Sequence, residues 1–460
     1  MSFFKKYIGD RAFYKKVLAV SVPIMIQSGI TNFVSLLDNI MVGRLGTEAM
    51  SGVSIVNQFV FVFYLLIFGA ISAAGIFTAQ YHGLGDVDGE RYTFRFKFVI
   101  NAVASVLACV AFFFYDDELI SLFLHNGSAE GDLMLTLDYG KQYLMIMLIG
   151  MIPYAITQVY ASTMRETEQT VPPMAASLIA VGVNFVLNYV LIFGKFGAPA
   201  LGVKGAAIAT VISRFAELAV LVIWGQTHRD KCPYLVHAFR SLYIPGSLFF
   251  SITVKGLPLM ANELFWSIAV TMRNQCYSTR GLDVVAALNI STTIYNVFNV
   301  VYMAVGSSIA IIVGKLLGAG DMEGARDTDR KMMTFSVACA TAMGSIMIAC
   351  SHLFPLLYKT NDDVRSLAAY MIIVSAAFMP FCAYAHSAYF TLRSGGKVMI
   401  TLLFDSVYMW AVVMPVSLVI AHLTDWNIWL FFLICQGTDV IKAVFGYVLL
   451  KKGTWLKRLV

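Results

Sequence analysis

The residues that invite chemistry are a few acids set in apolar surroundings. The stretch 17–41 reads VLAVSVPIMIQSGITNFVSLLDNIM and carries one carboxylate, Asp38, near its far end. An α-helix of about 20 apolar residues crosses the hydrocarbon core of a bilayer. A carboxylate inside such a span costs roughly 3 kcal/mol or more, so it ordinarily faces a protein cavity and has a task there. At the headgroup boundary the same residue would only cap a helix or hold a basic partner. Glu263 lies deep in a second apolar run, and Asp405 lies one-third of the way into a third. Asn184 and Asn188 stand one turn apart on one face of a further run, with Thr210 in the next. A carboxylate with several amide and hydroxyl oxygens suits a hard cation, here Na⁺ at Asp38, or a carboxyl that accepts a proton. Interhelical hydrogen bonding, which Asn and Thr often make in membranes, is the alternative for these polar residues. Asp439 and Lys442, and likewise Arg214 and Glu217, are spaced i, i+3 on one helix face and read as neutralising pairs. Asp38, Glu263 and Asp405 are then the acids left without a base.

The surroundings of these residues settle the class. Of 460 residues, 59% are hydrophobic and only 13% charged, with a mean hydropathy of +0.74. A soluble domain is nearer half apolar and a quarter charged. This is an all-α integral membrane protein, and its net charge of +6 is a topology signal, not a nucleic-acid footprint. No nucleic acid partner is expected, membrane lipid is, and a monomer is the expected state. The seven cysteines are scattered without C-x-x-C spacing, so neither disulfide nor metal frameworks are indicated. There is no H-E-x-x-H and no phosphate loop, so no cofactor and no intrinsic ATPase are expected.

Twelve transmembrane spans are predicted, at 17–41, 50–80, 98–115, 133–162, 172–193, 205–224, 248–276, 285–313, 332–352, 367–392, 398–422 and 428–450. The first is kept as a helix and not a signal peptide, because its apolar run is long and no A-x-A site follows. Lys and Arg crowd the loops on the N-terminal side, Arg91, Arg95, Arg229, Arg326 and Arg330 among them, while Asp116, Asp117 and Glu118 lie on the far side. Both termini are therefore expected to be cytoplasmic.

The chain also repeats. Shifted by 235 residues it matches itself without gaps: Pro23 falls on Pro258, Met25 on Met260, Asn39 on Asn274, Gly46 on Gly281 and Ile55 on Ile290. The loop GLGDVDGERYTFR from Gly83 falls on GAGDMEGARDTDR from Gly318, identical at seven of thirteen positions. Six spans per half is an even number, so the two lobes enter the membrane in the same direction. The expected domains are an N-lobe at 1–225, a cytoplasmic linker at 226–245 and a C-lobe at 246–460. Pro23 and Pro258 sit inside spans 1 and 7, where proline removes a hydrogen bond and kinks the helix. The repeat fails at the acids: Asp38 falls on Arg273, and Ser28 on Glu263.

Twelve spans in two halves, a span-1 Asp in LLDNIMVGRLG followed by EAMSGVSI, and the G-x-G-D loops resemble the multidrug and toxic-compound extrusion (MATE) transporters. NFVLNYVLIFGKFGAPALGVKGAAIAT, from Asn184 to Thr210, resembles their spans 5 and 6. The resemblance covers nearly the whole chain. It implies a bacterial inner-membrane antiporter that exports amphipathic organic cations as Na⁺ or H⁺ enters, by alternating access around a cleft between the lobes. It further implies that Asp38 binds the coupling ion with Asn184 and Thr210 around it. Asn188 falls where many members have a second acid, which is a departure. Glu263 and Asp405 are the candidates for a C-lobe site. A lipid-linked precursor flippase of the same wider superfamily would call for a cationic cleft instead. A membrane transferase would need a His, Asp or metal-ligand cluster at one face, and the seven histidines are dispersed. An enzyme is not expected.

Overall fold

The computed structural model of the chain describes residues 6–124, 133–358 and 360–460. Twelve long helices match the twelve predicted spans: α1 (Arg11–Gly43), α2 (Thr47–Leu84), α3 (Val87–Phe114), α4 (Leu133–Glu166), α5 (Val171–Phe193), α6 (Val203–Thr227), α7 (Gly246–Ser278), α8 (Leu282–Gly318), α9 (Met322–Ala349), α10 (Asp362–Ser394), α11 (398–423) and α12 (Ile428–Lys451). Among the described residues there is no strand. Several helices outrun the apolar stretch that announced them. α3 begins at Val87 instead of 98, carrying Arg91, Arg95 and Lys97 in its first three turns. The boundary set by hydropathy marks where bilayer begins, whereas the helix begins where its cap is.

That cap explains the repeated loop residue by residue. In G-x-G-D, Asp86 accepts from the Gly89 amide at 3.0 Å, and Asp321 accepts from the Gly324 amide at 2.8 Å. Each satisfies an otherwise orphaned N–H at a helix start. The second glycine, Gly85 or Gly320, has φ of +78° or +81°, a left-handed turn that costs a residue without Cβ nothing. The first glycine permits close approach. A Cβ on Gly83 would stand 1.8 Å from the Lys315 carbonyl oxygen, and one on Gly318 would stand 1.9 Å from that of Gln80. The ends of α2 and α8 therefore cross backbone to backbone, and both partners are repeat-equivalent.

The chain forms two compact units. One comprises Ile26–Thr78 and Asp86–Gly256; the other comprises the segment up to Met25, Ala79–Gly85 and Leu257–Val460. The passages at Met25 and Gly256 fall within two residues of Pro23 and Pro258, and α1 and α7 run helically through both prolines.

The linker is folded into the first unit. Arg95 donates to the carbonyls of Ala238 (2.7 Å), His237 (3.1 Å) and Tyr243 (3.1 Å). Phe94, Tyr160, Cys232 and Tyr234 form one buried cluster beneath it. Burial there pushes the Cys232 thiol up to about 11. In the second unit the C-terminal segment is held the same way. Gln80 accepts from the Leu459 amide at 2.7 Å and donates to the Ser394 carbonyl at 3.0 Å, and Trp455 is buried.

Candidate functional site

In the first unit Asp38 meets the polar residues expected around it. α5 places Asn184 and Asn188 one turn apart on its buried face, and α6 packs against α5 and brings Thr210. Asn188 Nδ2 donates to Asp38 Oδ1 at 2.6 Å and to Asn184 Oδ1 at 3.0 Å; Asn184 Nδ2 donates to Thr210 Oγ1 at 3.3 Å. The four residues thus form one connected chain. Asn188 Oδ1 is buried and has no hydrogen-bond partner among the described residues. An orphaned buried carbonyl oxygen costs free energy unless something donates to it or coordinates it. A monovalent cation or a water beside Asp38 would satisfy it, so the donor set fits such an ion. Among the described residues no group of three His, Cys, Asp or Glu is placed to hold a metal.

One turn further along α6, Arg214 donates to Glu217 Oε2 at 3.3 Å, the pair expected from spacing, and also to the Tyr64 hydroxyl at 3.3 Å. Glu217 Oε1 accepts from Ser177, which in turn accepts from Gln27 at 2.8 Å. A small gap of about 10 Å³, room for about one water, is lined by Val60, Tyr64, Met147, Thr210 and Arg214 and joins this cluster to the Asp38 chain at Thr210.

In the second unit the expected acids are placed together but not as expected. Tyr389 donates to Glu263 at 3.0 Å, and Asn262 Nδ2 donates to Asp405 Oδ2 at 3.0 Å and lies 3.5 Å from the Tyr389 hydroxyl. Asp405 is not an acid without a base: Lys442 donates to its Oδ1 at 2.6 Å. The anticipated Asp439–Lys442 pair gives way to this one, and Asp439 instead accepts from the Cys382 thiol at 3.2 Å. The cause lies in α11, which is not a plain α-helix. Leu403–Val407 and Met409–Val413 are π turns, the second just ahead of Pro415. A π turn widens the helix and re-aims the faces around it, and such turns recur at functional sites. It presents Asp405 to α12. Sequence reasoning also passed over Asn262 and Tyr389, although Tyr389 is the repeat partner of Tyr154.

The MatE family model matches the chain twice, at residues 23–190 and 258–419, starting at the two helix prolines and at the offset of the internal repeat. A Thermotoga maritima protein named as a probable multidrug resistance protein, NorM, is 22% identical over 100% of this chain and 97% of its own length. Multidrug resistance protein PmpM of Pseudomonas aeruginosa is 25% identical over 90% of this chain and 85% of its own. The crystal structure of MATE in complex with MaL6 shares the fold, with a TM-score of 0.86 at 17% identity, covering 99% of this chain and 98% of that one. With eleven helices among the described residues long and apolar enough to cross a membrane and a family model that matches each of two repeated halves, this multi-pass membrane protein belongs to the MatE family.

Proposed function

We propose that the chain is a multidrug efflux transporter, not an enzyme, and that it is a cation-coupled antiporter of amphipathic organic cations. The observation that carries this is the Asp38–Asn188–Asn184–Thr210 chain, in which a carboxylate inside a membrane helix is held by neutral side chains. A carboxylate so placed exchanges its charge with a monovalent cation, Na⁺ or H⁺, and the substrate competes for the same negative charge. The naming of the relatives for multidrug resistance supports the substrate class. Asp38 binds the coupling ion, with Asn188 Oδ1 as the second oxygen in reach. The pairing of Asp405 with Lys442 makes Glu263 the acid of the second half better placed to meet a substrate cation. Both termini are cytoplasmic in this reading, the membrane is the bacterial inner membrane, and the monomer is the working unit.

The test is dye-cation flux in proteoliposomes under a Na⁺ gradient or a pH gradient, imposed separately, for the wild type and Asp38→Asn. Flux that follows one gradient and is lost in a normally folded Asp38→Asn protein names the coupling ion and its site. Wild-type flux under neither gradient, or undiminished flux in the variant, overturns the reading.

A further inference from the structure

The Arg214 guanidinium is held as a bound organic cation would be held. Its Cζ lies 4.9 Å from the ring centroid of Tyr154 and 5.8 Å from that of Tyr64. The two rings lie against each other, with centroids 4.1 Å apart and planes inclined by 31°. Aromatic faces attract cations at this range, most strongly where water is excluded. A carboxylate completes the set, since Glu217 takes the guanidinium on Oε2 while Ser177 fixes its Oε1. The Glu217 side chain is 7% exposed and that of Arg214 27%, so the carboxylate is deep and the guanidinium is the more accessible partner. Beside them lies the gap lined by Tyr64, Met147, Met151, Thr210 and Arg214. Methionine walls adapt to differently shaped apolar bodies.

We propose that Tyr64, Tyr154 and Glu217 form a receptor for a planar organic cation, filled in this conformation by the protein's own Arg214. The guanidinium stands in for the amidinium, guanidinium or aromatic ammonium head of a substrate, whose apolar body would lie toward Met147 and Met151 in the space that Arg214 vacates. Arg214 is then an internal competitor. It keeps Glu217 neutralised when no substrate is bound, and it must turn aside for one to enter. The inference rests on the efflux reading for its transport meaning, but the receptor itself is tested without any gradient. Because the gap reaches Thr210, a cation seated here is next to the Asp38 chain, which is where competition with the coupling ion requires it to be.

The experiment is equilibrium binding of p-aminobenzamidine, a fluorescent planar amidinium, to the purified full-length protein in lipid nanodiscs. Arg214→Gln empties the receptor and is expected to bind the probe about tenfold more tightly than wild type, or ~1.4 kcal/mol. Adding Tyr154→Ala or Glu217→Gln to Arg214→Gln is expected to abolish that gain. Arg214→Lys keeps the charge but cannot lie flat on a ring, and is expected to gain about threefold, or ~0.65 kcal/mol. It also covers the case in which Arg214→Gln does not fold. Affinity unchanged or weakened in a folded Arg214→Gln, or in folded Arg214→Lys where Gln fails, overturns the proposal. A gain that survives loss of both Tyr154 and Glu217 overturns it too. Flux separates the two readings: tighter binding in a protein that moves no cation under either gradient keeps the receptor and removes the antiporter.

Discussion

The ion pair between Lys442 and Asp405 can be weighed by a double-mutant cycle. Both side chains are nearly enclosed, 13% and 15% exposed, and their polar atoms are 2.6 Å apart. Removing one partner of a buried pair costs about 3–5 kcal/mol, because the other is left as an uncompensated charge. Asp405 keeps the Asn262 hydrogen bond on its other oxygen, which favours the lower end of that range. Lys442→Met is therefore expected to cost about 3 kcal/mol. Adding Asp405→Asn removes the stranded charge and should restore about 2 kcal/mol of it, since hydrophobic or neutral replacement of a whole buried pair is often nearly neutral. Asp405→Asn alone strands Lys442 and should likewise cost about 3 kcal/mol, so the coupling energy between positions 442 and 405 is about 5 kcal/mol, within the range measured for close charge pairs.

Asp439 supplies the control. It lies one turn from Lys442 and its carboxylate is occupied by the Cys382 thiol, so its coupling to Lys442 should stay below about 1 kcal/mol. The assay is thermal unfolding of the purified protein in one detergent, with the four members of each cycle side by side. A chain this long shifts by roughly 1–2 °C per kcal/mol, extending the 2–4 °C of shorter domains. Lys442→Met should melt about 3–6 °C below wild type and the Lys442→Met/Asp405→Asn protein within about 2 °C of it. Rescue by Asp439→Asn equal to or greater than that by Asp405→Asn would refute the pairing, and with it the claim that the π turn in α11 re-aims Asp405.

Three further outcomes follow from the loops and the C-terminal segment. Gly83→Ala must part the α2 and α8 backbones and should cost about 1–3 kcal/mol, more than Gly85→Ala, whose Cβ meets nothing within 4 Å and whose cost, about 1 kcal/mol, is the left-handed turn; the melting temperatures of the two variants decide the order. Arg95→Ala releases the three linker carbonyls, so trypsin should cut at Arg240 about tenfold faster, and Cys232, raised to about 11 by burial and hence protonated at pH 8, should pass from inert to maleimide-reactive. Labelling of wild-type Cys232 at pH 8 at the rate of a free thiol would contradict its burial. Gln80→Ala unpins the C-terminal segment and should make Lys457 a faster tryptic site with little change in overall melting.

Much of the fold was legible because it is written twice. Hydropathy counted the spans, and the 235-residue offset paired them, down to the G-x-G-D loop. What each loop residue does was not legible, because the contact that forbids a side chain on Gly83 is with Lys315, far away in the chain. The Asp38 chain was readable because helical spacing fixes Asn184 and Asn188 on one face and short connections keep consecutive helices adjacent. The partner of Asp405 was misjudged for a physical reason. Helical spacing measures neighbours along one helix, and apolar periodicity does not reveal a π turn that redirects a side chain to the next one. The linker was expected only as a cytoplasmic connection between the lobes, and its anchor was an arginine in the repeated loop that read as a topology charge.

Tyr154 and its repeat partner Tyr389 show how one scaffold came to hold two chemistries. In the first half the ring of Tyr154 lies under the Arg214 cation, which is shared with Glu217. In the second half the hydroxyl of Tyr389 donates to the Glu263 anion, with Asn262 alongside. The tyrosine is constant, and its face or its edge is used according to the charge each half sets against it. Asn262 and Gln27 are likewise repeat partners, and each links a carboxylate network, toward Asp405 in one half and through Ser177 toward Glu217 in the other. Duplication therefore fixed where polar side chains meet inside each bundle. The residues at neighbouring positions set whether that meeting point holds a cation through rings and a carboxylate or a carboxylate through hydrogen bonds. Asp38 and Glu263, like Glu217 and Asp405, fall on no acid in the other half, so the two bundles differ most where their buried charges lie.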